Sequence, residues 1–362
     1  MLYSQTGGGH RAAARAIEAA LPLVTGDTTV DLRDGLVEGG PWPMNRSPEL
    51  YAWSMSRARW TYALPWHLTN GPLRARLMAD LSYPSQKRRL RRIVEDSNPD
   101  IIVSVHPLLT RSIVRVISSL DRKPPFVVVV TDLVTGHWTW FDRGVDLTLV
   151  PTQECLDRVV RGGMDPTRMA VTGQVVHPLC ATALDRRHEL RKRFGWEGPV
   201  VLMLAGGDGV GRLDLHLESV TRAHLPARIV VVCGRNAQLL ESFHTRNWQV
   251  PVELHGFVNN LHELMAAADI LVTKGGPGSV MEGCAAGLPI LIYDRLPGQE
   301  IGNVQFVEQK GIGHYVPKPA DLTKALQHWL THPDELAAAA AAAKAAGNPH
   351  SARDIARRIV EI

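Results

Sequence analysis

The sequence predicts an α/β protein built as two doubly wound, Rossmann-like domains. Three observations carry this. The 362 residues amount to about twice a usual domain. Short continuous runs of Val, Ile and Leu alternate with helical patterns, as the buried strands of parallel sheets do. These runs fall into two series, parted near 176–198 by a stretch holding Pro178 and the charged run Asp185 to Arg193. The boundaries that follow are an N-terminal domain 1–176, a linker and lead-in helix 177–198, a C-terminal domain 199–340 and a helical segment 341–362.

The first series opens with MLYSQ, a short first strand, and continues with DIIVSVH (100–106), FVVVVTD (126–132), DLTLVPT (146–152) and MAVTGQV (169–175). The second holds PVVLMLA (199–205), RIVVVCG (228–234), VELHGF (252–257), DILVTKG (269–275) and PILIYD (289–294). The alanine run 337–346 is a strong helix former, and 351–362 reads as a final amphipathic helix without an evident role.

Composition narrows the classes. Hydrophobic residues make up 45% and charged residues 21%, which excludes a wholly disordered or fibrous chain. Cys155, Cys180, Cys233 and Cys284 are scattered, with no C-x-x-C pair. That argues against a disulfide framework or a cysteine zinc site and suits a reducing compartment. No aliphatic run approaches the ~18 residues of a spanning helix. The start MLYSQTGGGH has neither a basic n-region nor an apolar h-region, so a cytoplasmic protein, peripheral on a membrane, is expected.

The net charge of +4 lies wholly within residues 1–175, and ten basic residues stand against two acidic ones in 41–92. The same stretch holds four of the nine tryptophans, Trp42, Trp53, Trp60 and Trp66, with Tyr51, Tyr62 and Tyr83. Cations among Trp and Tyr suit an anionic lipid surface, the rings at the interface and the charges on head groups. A solvated helical face over an ordinary aromatic core is the plainer alternative. Nucleic acid is not expected, because the chain is only mildly basic and carries no binding motif.

Ligands of open parallel sheets bind beyond the carboxyl ends of the strands. Two such domains facing each other would form a cleft there, so the loops after strands are where chemistry belongs. Thr6-Gly7-Gly8-Gly9-His10 precedes the helical pattern RAAARAIEAAL. Its glycines let backbone N–H groups approach a ligand, and a helix start favours negative charge. His10 there has the pKa range of a general base for a hydroxyl, or is simply a turn histidine. Gly206 to Gly211 has the look of a phosphate loop, with Gly207, Asp208 and Gly209 as candidates. It lacks the closing G-x-x-G spacing and the ribose carboxylate of a nicotinamide site.

The strongest loop is TKGGPGSVME, 273–282. Gly275, Gly276, Gly278 and Ser279, beside Lys274, offer donors to a diphosphate at a helix start. Glu282, about one turn in, can accept both hydroxyls of a ribose, although a lone first-turn glutamate more often answers the helix dipole. Next, Gln299, Glu300 and Asn303 form a polar cluster able to grip sugar hydroxyls, or a capped helix start. Last, Asp132, in the segment Thr131 to Trp140, can orient a histidine or receive a hydroxyl. Trp140 can stack on a sugar or a lipid head. Packing is the alternative for each.

TGGGHRAAARAI, PWPMN (41–45), DIIVSVHPL (100–108), TDLVTGHWTWF (131–141), VVCGRN (231–236), TKGGPGSVMEG, AGLPILIYD and PGQEIGN together resemble the monogalactosyldiacylglycerol synthases. These group with the processive diacylglycerol glucosyltransferases and the peptidoglycan glycosyltransferase MurG. The match runs in order from residue 2 to about 318. Gly173-Gln174-Val175-Val176 departs from it, with valine where the family places proline, and the first strand is shorter than the family's.

The resemblance implies a GT-B fold, a lipid acceptor on the N-terminal domain, a UDP-sugar on the C-terminal one, inversion at the anomeric carbon, and no metal or other cofactor. It matches His10 to the general base and Glu282 to the uridine ribose. Phe257 and Val258 match the uracil pocket, and Gly275, Gly276, Gly278 and Ser279 the diphosphate loop. Gln299, Glu300 and Asn303 match the hexose site. Arg235 and Asn236 fall on the donor side. Gly8, Gly9, His106 and His137 fall on the acceptor side. Pro43 and Trp140 match positions tied to anionic-lipid activation or acceptor placement. The partners implied are a UDP-hexose, diacylglycerol and anionic lipid. Galactose and glucose both remain open, as do a UDP-sugar 2-epimerase, a transferase to a soluble acceptor and a non-catalytic binding module.

Overall fold

The apolar runs fold as the centres of two parallel sheets. The computed structural model describes residues 1–6, 8–58, 60–207 and 212–362. The first unit takes in Met1–Pro178, Pro297–Gln299 and His350–Ile362; the second takes in Leu179–Leu296 and Glu300–Pro349.

The first sheet contains β1 (Leu2–Tyr3), β2 (Arg33–Asp34), β3 (Ile102–Ser104), β4 (Phe126–Val129), β5 (Leu147–Val150) and β6 (Met169–Val171), in the order β2-β1-β3-β4-β5-β6. Alternate residues of β4 serve opposite faces. Phe126 and Val128 join a core with Leu90, Ile113 and Trp140. Val127 and Val129 join another with Ile17, Ile355 and Ile359. The helix Ser351–Val360 therefore covers the first sheet, packed on the helix Gly8–Ala20 through Ala13, Ala16, Ala352 and Ala356. That gives the terminal amphipathic pattern a structural role. The preceding helix spans Pro333–Ala346 without a break at 340/341.

The second sheet contains β7 (Val200–Leu204), β8 (Arg228–Val232), β9 (Val252–His255), β10 (Ile270–Lys274), β11 (Ile290–Asp294) and β12 (Gly313–Tyr315), in the order β12-β11-β10-β7-β8-β9. The 177–198 segment forms the helices Leu179–Leu184 and Arg187–Phe194. Arg187 and Arg191 dock the latter on this unit, binding Asp269 at 2.6 and 2.9 Å and the carbonyls that end the helix Leu261–Ala267.

Strand order reverses between β1 and β3 in the first sheet and between β7 and β10 in the second. At such switch points the following loops diverge and leave a ligand crevice. Thr6 follows β1 and Gly8, Gly9 and His10 open the next helix, while Gly206 and Gly207 follow β7 and Gly275 and Gly276 follow β10. All four cysteines are buried free thiols. Among the described residues, no helix is long and apolar enough to cross a membrane.

Candidate active site

At the first switch point, His10 stands in the first turn of the helix Gly8–Ala20. Its Nδ1 lies 2.8 Å from the carbonyl oxygen of Val105, just beyond β3, and 3.2 Å from Thr131 Oγ1. A carbonyl only accepts, so Nδ1 carries the proton and Nε2 holds a lone pair. Burial lowers the His10 pKa, while the Asp132 charge and the Val105 carbonyl oppose that shift. The ring is therefore neutral at physiological pH, with its basic nitrogen available.

His106 backs His10, with ring centroids 4.6 Å apart. Its Nδ1 accepts from the Leu108 amide at 3.3 Å, so its Nε2–H donates to Thr6 Oγ1 at 2.8 Å. Burial and the neighbouring His10 hold it neutral, well below the usual range. His106 thus buttresses the His10 ring, its own ring nitrogens engaged by Thr6 and the Leu108 amide. Thr6, Val105 and Thr131, which fix the two imidazoles, lie inside the motifs read above but are not themselves singled out there as site residues.

Several expected roles change. Asp132 does not hydrogen-bond His10. Its Oδ2 accepts from Trp140 Nε1 and its Oδ1 from Gln299 Nε2, each at 2.7 Å. Trp140 is fully buried, so it cannot stack on a sugar or a lipid head; its indole fixes the Asp132 carboxylate instead. His137 is not open to an acceptor. Its Nδ1 accepts from the Thr139 amide, capping the turn Trp138–Trp140, and its Nε2 meets Thr69 Oγ1 at 3.1 Å. Burial takes its pKa down to about 4. Pro43 is exposed beside Trp42, at the start of the aromatic and basic stretch. Gly8 and Gly9 are exposed at the helix start, with open space around Gly9.

The second switch point gathers the donor-side candidates. Gly234 has φ +63°, and a Cβ on it would fall 2.4 Å from the Gly206 carbonyl oxygen. Only glycine admits that approach, which lets the Arg235 amide donate to the Gly207 carbonyl at 3.0 Å. The Arg235 guanidinium lies 4.6 Å from the Phe257 ring centroid. Phe257 is 55% exposed, a flat face held by a cation, with Val258 next to it. The Asn236 side chain is committed elsewhere: it caps the helix Ala237–His244 by accepting from the Leu239 amide at 2.9 Å. Asp208 and Gly209 lie outside the described residues.

After β10, Gly276 caps the helix Pro277–Ala285, whose first amides, with Gly278 and Ser279, have no intrahelical acceptor. Lys274 reaches over Gly206. The Gly275 carbonyl accepts from Asn303 Nδ2 at 2.7 Å, and its amide donates to the Asp294 carbonyl at 2.8 Å. Glu300 Oε2 accepts from the Leu296 amide at 2.6 Å. Asn303 and Glu300 thus shape the loops around Gly275, while the buried Asn303 Oδ1 has no hydrogen-bond partner among the described residues. Glu282 has no charge partner among the described residues, and burial pushes its carboxyl up to about 7.

The polar cluster read at 299–303 is split. Gln299 belongs to the first unit, where its side chain meets Asp132 and Tyr62, whereas Glu300 and Asn303 belong to the second. Among the described residues, no three His, Cys, Asp or Glu side chains gather to hold a metal ion.

Comparison with known proteins agrees with this arrangement. The monogalactosyldiacylglycerol (MGDG) synthase family matches residues 10–176, and the glycosyltransferase family 28 C-terminal domain matches 211–359. A probable monogalactosyldiacylglycerol synthase 2, chloroplastic, of Oryza sativa subsp. japonica is 36% identical over 99% of this chain and 79% of its own. Among solved structures, MurG of Acinetobacter baumannii has a TM-score of 0.58 at 14% identity, covering 78% of this chain and 81% of its own. A putative UDP-N-acetylglucosamine 2-epimerase of Listeria monocytogenes has 0.57 at 15% identity, covering 77% of each. These two likenesses show the fold alone, which is GT-B. The rice relative spans both units at an identity that fold-sharing alone does not give, and the chain belongs to the monogalactosyldiacylglycerol synthase family.

Proposed function

We propose that this chain transfers galactose from UDP-galactose to the free hydroxyl of 1,2-diacylglycerol at a membrane surface, with inversion at the anomeric carbon. The observation that carries this reading is the 36% identity to the rice synthase over 99% of the chain. The two sites supply chemistry in keeping with it. An alkyl hydroxyl ionises far above neutral pH, so its attack benefits from a base. His10 Nε2 takes that proton as the oxygen bonds to the anomeric carbon. The bond from that carbon to the diphosphate breaks, and UDP leaves with the electron pair.

In the second unit the amides at the start of Pro277–Ala285, with Lys274 and Arg235, meet the charge that grows on the diphosphate. Glu282 accepts from the ribose hydroxyls, and Phe257 offers a face to the uracil. This assignment needs no bound metal.

The acceptor is insoluble, and one side of the first unit suits a lipid leaflet. Leu73, Leu77 and Leu81 are 81%, 61% and 73% exposed along one face of the helix Pro72–Ser97. Trp60, Leu64 and Leu68 repeat the four-residue spacing on the helix Trp60–Thr69 and are also exposed. Arg74, Arg76, Lys87 and Arg88 stand exposed beside the leucines. An apolar stripe flanked by cations matches a leaflet with anionic head groups, and peripheral docking there brings diacylglycerol to the enzyme.

Incubation with UDP-galactose and diacylglycerol vesicles, followed by proton NMR of the extracted lipid, should give a β-linked galactoside from the α-linked donor. An α-linked product, or no glycolipid, would count against the assignment.

A further inference from the structure

Two acceptors share the Nδ1 proton of His10. One is the Val105 carbonyl at 2.8 Å, held by the first sheet, where the Val105 amide donates to the Leu2 carbonyl at 2.9 Å. The other is Thr131 Oγ1 at 3.2 Å. An N–H shared in this way is a three-centre bond, and it fixes the ring against two points rather than one. When Nε2 takes a proton, both bonds from Nδ1–H become charge-assisted. The Thr131 oxygen therefore favours the charged ring while gaining and losing no proton itself.

Thr131 lies just beyond β4, in a segment without regular structure. Three side-chain donors hold the carbonyls of that segment. Arg158 reaches Gly136 at 2.8 Å, Thr152 reaches Leu133 at 2.5 Å, and Gln174 Nε2 reaches Thr131 itself at 3.0 Å. Gln174 follows β6, and β5 lies between β6 and β4. The glutamine thus ties two segments whose strands are not neighbours.

That tie has a cost. Gln174 is 4% exposed, and its Oε1 has no hydrogen-bond partner among the described residues. The Thr131 carbonyl only accepts, so it requires the NH₂ end and leaves the oxygen unpaired. A buried unpaired oxygen destabilises the fold, and an apolar side chain of the same length would avoid it. Gln174 also stands in the stretch 173–176, where the chain departs from the family pattern.

We propose that Thr131, held by Gln174, is a positioning residue for His10: Gln174 fixes the Thr131 main chain, and the Thr131 hydroxyl shares the Nδ1–H while Nε2 receives the acceptor's proton. One proton moves to Nε2 and none passes beyond the ring, because the carbonyl and the hydroxyl oxygen only accept the bond. This rests on the transferase reading above.

The test compares the wild type with Thr131→Val, Thr131→Ser, Gln174→Met and the Thr131→Val/Gln174→Met pair, measuring kcat and the KM for UDP-galactose over diacylglycerol vesicles. Thr131→Val should lower kcat about three- to tenfold, with KM within about twofold. Thr131→Ser keeps the hydroxyl and should recover most of that loss. Gln174→Met should lower kcat about two- to threefold without lowering the melting temperature, because the unpaired oxygen leaves with the amide. The double variant should lose no more than Thr131→Val alone, since Gln174 acts through Thr131. Wild-type kcat in Thr131→Val or Gln174→Met, Thr131→Ser as slow as Thr131→Val, or additive losses would each overturn the proposal.

A second readout does not need turnover: the imidazole NMR titration of His10. The groups that face this ring are His106, with centroids 4.6 Å apart, Asp132, whose charge raises the pKa, and the uncharged Trp140 at 5.9 Å. All three stay in place in every variant. The His10 pKa should move down by about 0.5 in Thr131→Val and stay within about 0.2 of wild type in Thr131→Ser. An unmoved value in Thr131→Val overturns the proposal. If the wild type makes no glycolipid, the transferase reading fails, and the titration still decides whether Thr131 shares the His10 proton.

Discussion

The Nδ1–H of His10 donates to the carbonyl oxygen of Val105 across 2.8 Å. That single bond joins the first helix of the chain to the end of β3, at the point where strand order reverses. It fixes both the tautomer and the direction of the ring. The nitrogen left over is the one that can accept a proton, so the main chain sets which nitrogen His10 presents.

Removing the proposed base should separate chemistry from donor binding. His10→Ala is expected to lower transfer by about 10²–10⁴-fold, with UDP affinity nearly unchanged, because the uridine candidates all lie in the second unit. Turnover assays paired with calorimetric UDP titration check this. Turnover at the wild-type rate would remove His10 from the role.

Asp132→Asn keeps the shape and deletes a charge. The Asp132 charge raises the His10 pKa against the lowering by burial. The variant should move the acid limb of kcat to lower pH and reduce its plateau by about tenfold, since the imidazolium loses its counter-charge. In the wild type that limb should already lie below pH 6.5, because burial dominates at His10. A pH–rate profile of both proteins decides.

Glu282 sets stability against binding. Burial raises its pKa from 4.5 to about 7, so the stability that its protonated form gives the free protein is full below about pH 4.5 and is lost as pH rises through about 7. Glu282→Gln should therefore raise the melting temperature of free protein at pH 8. The same change should weaken UDP about 10–100-fold, the cost of a hydrogen-bonded charge. Wild-type donor affinity should fall as pH drops through about 7, and that fall should be absent in the variant. Thermal shifts with and without UDP read both effects.

Leu77→Glu and Leu73→Glu place charge on the outward stripe without touching the core residues Ala75 and Ala79. Both should weaken sedimentation with anionic vesicles several-fold, and added salt should weaken wild-type binding. Wild-type-like binding by the double variant would exclude the stripe as the lipid contact.

The sheets were legible because a buried parallel strand must be apolar along its whole length, as FVVVV and VVLML are. Arg33–Asp34 and Gly313–Tyr315 lack that signature and pair only because a neighbouring strand end needs them. The helix starts that carry His10 and Glu282 could be placed because glycine loops before helices are local patterns. Trp140 could not, since its burial depends on the core that Leu90 and Phe126 build around it. His106 and His137 read as acceptor residues, yet each caps a short turn by accepting from the amide two residues on. Gln299 and Glu300 are adjacent in sequence and belong to different units, a division no periodicity reports.

The most direct measurement offers labelled UDP-galactose and, separately, labelled UDP-glucose to the purified protein over diacylglycerol vesicles containing anionic lipid. Label is then counted in the organic extract. Galactose label in the lipid, with little from glucose, is the predicted result. Label from glucose alone would contradict the sugar assignment. Label from neither donor, with UDP-galactose still bound, would contradict galactosyl transfer to diacylglycerol itself.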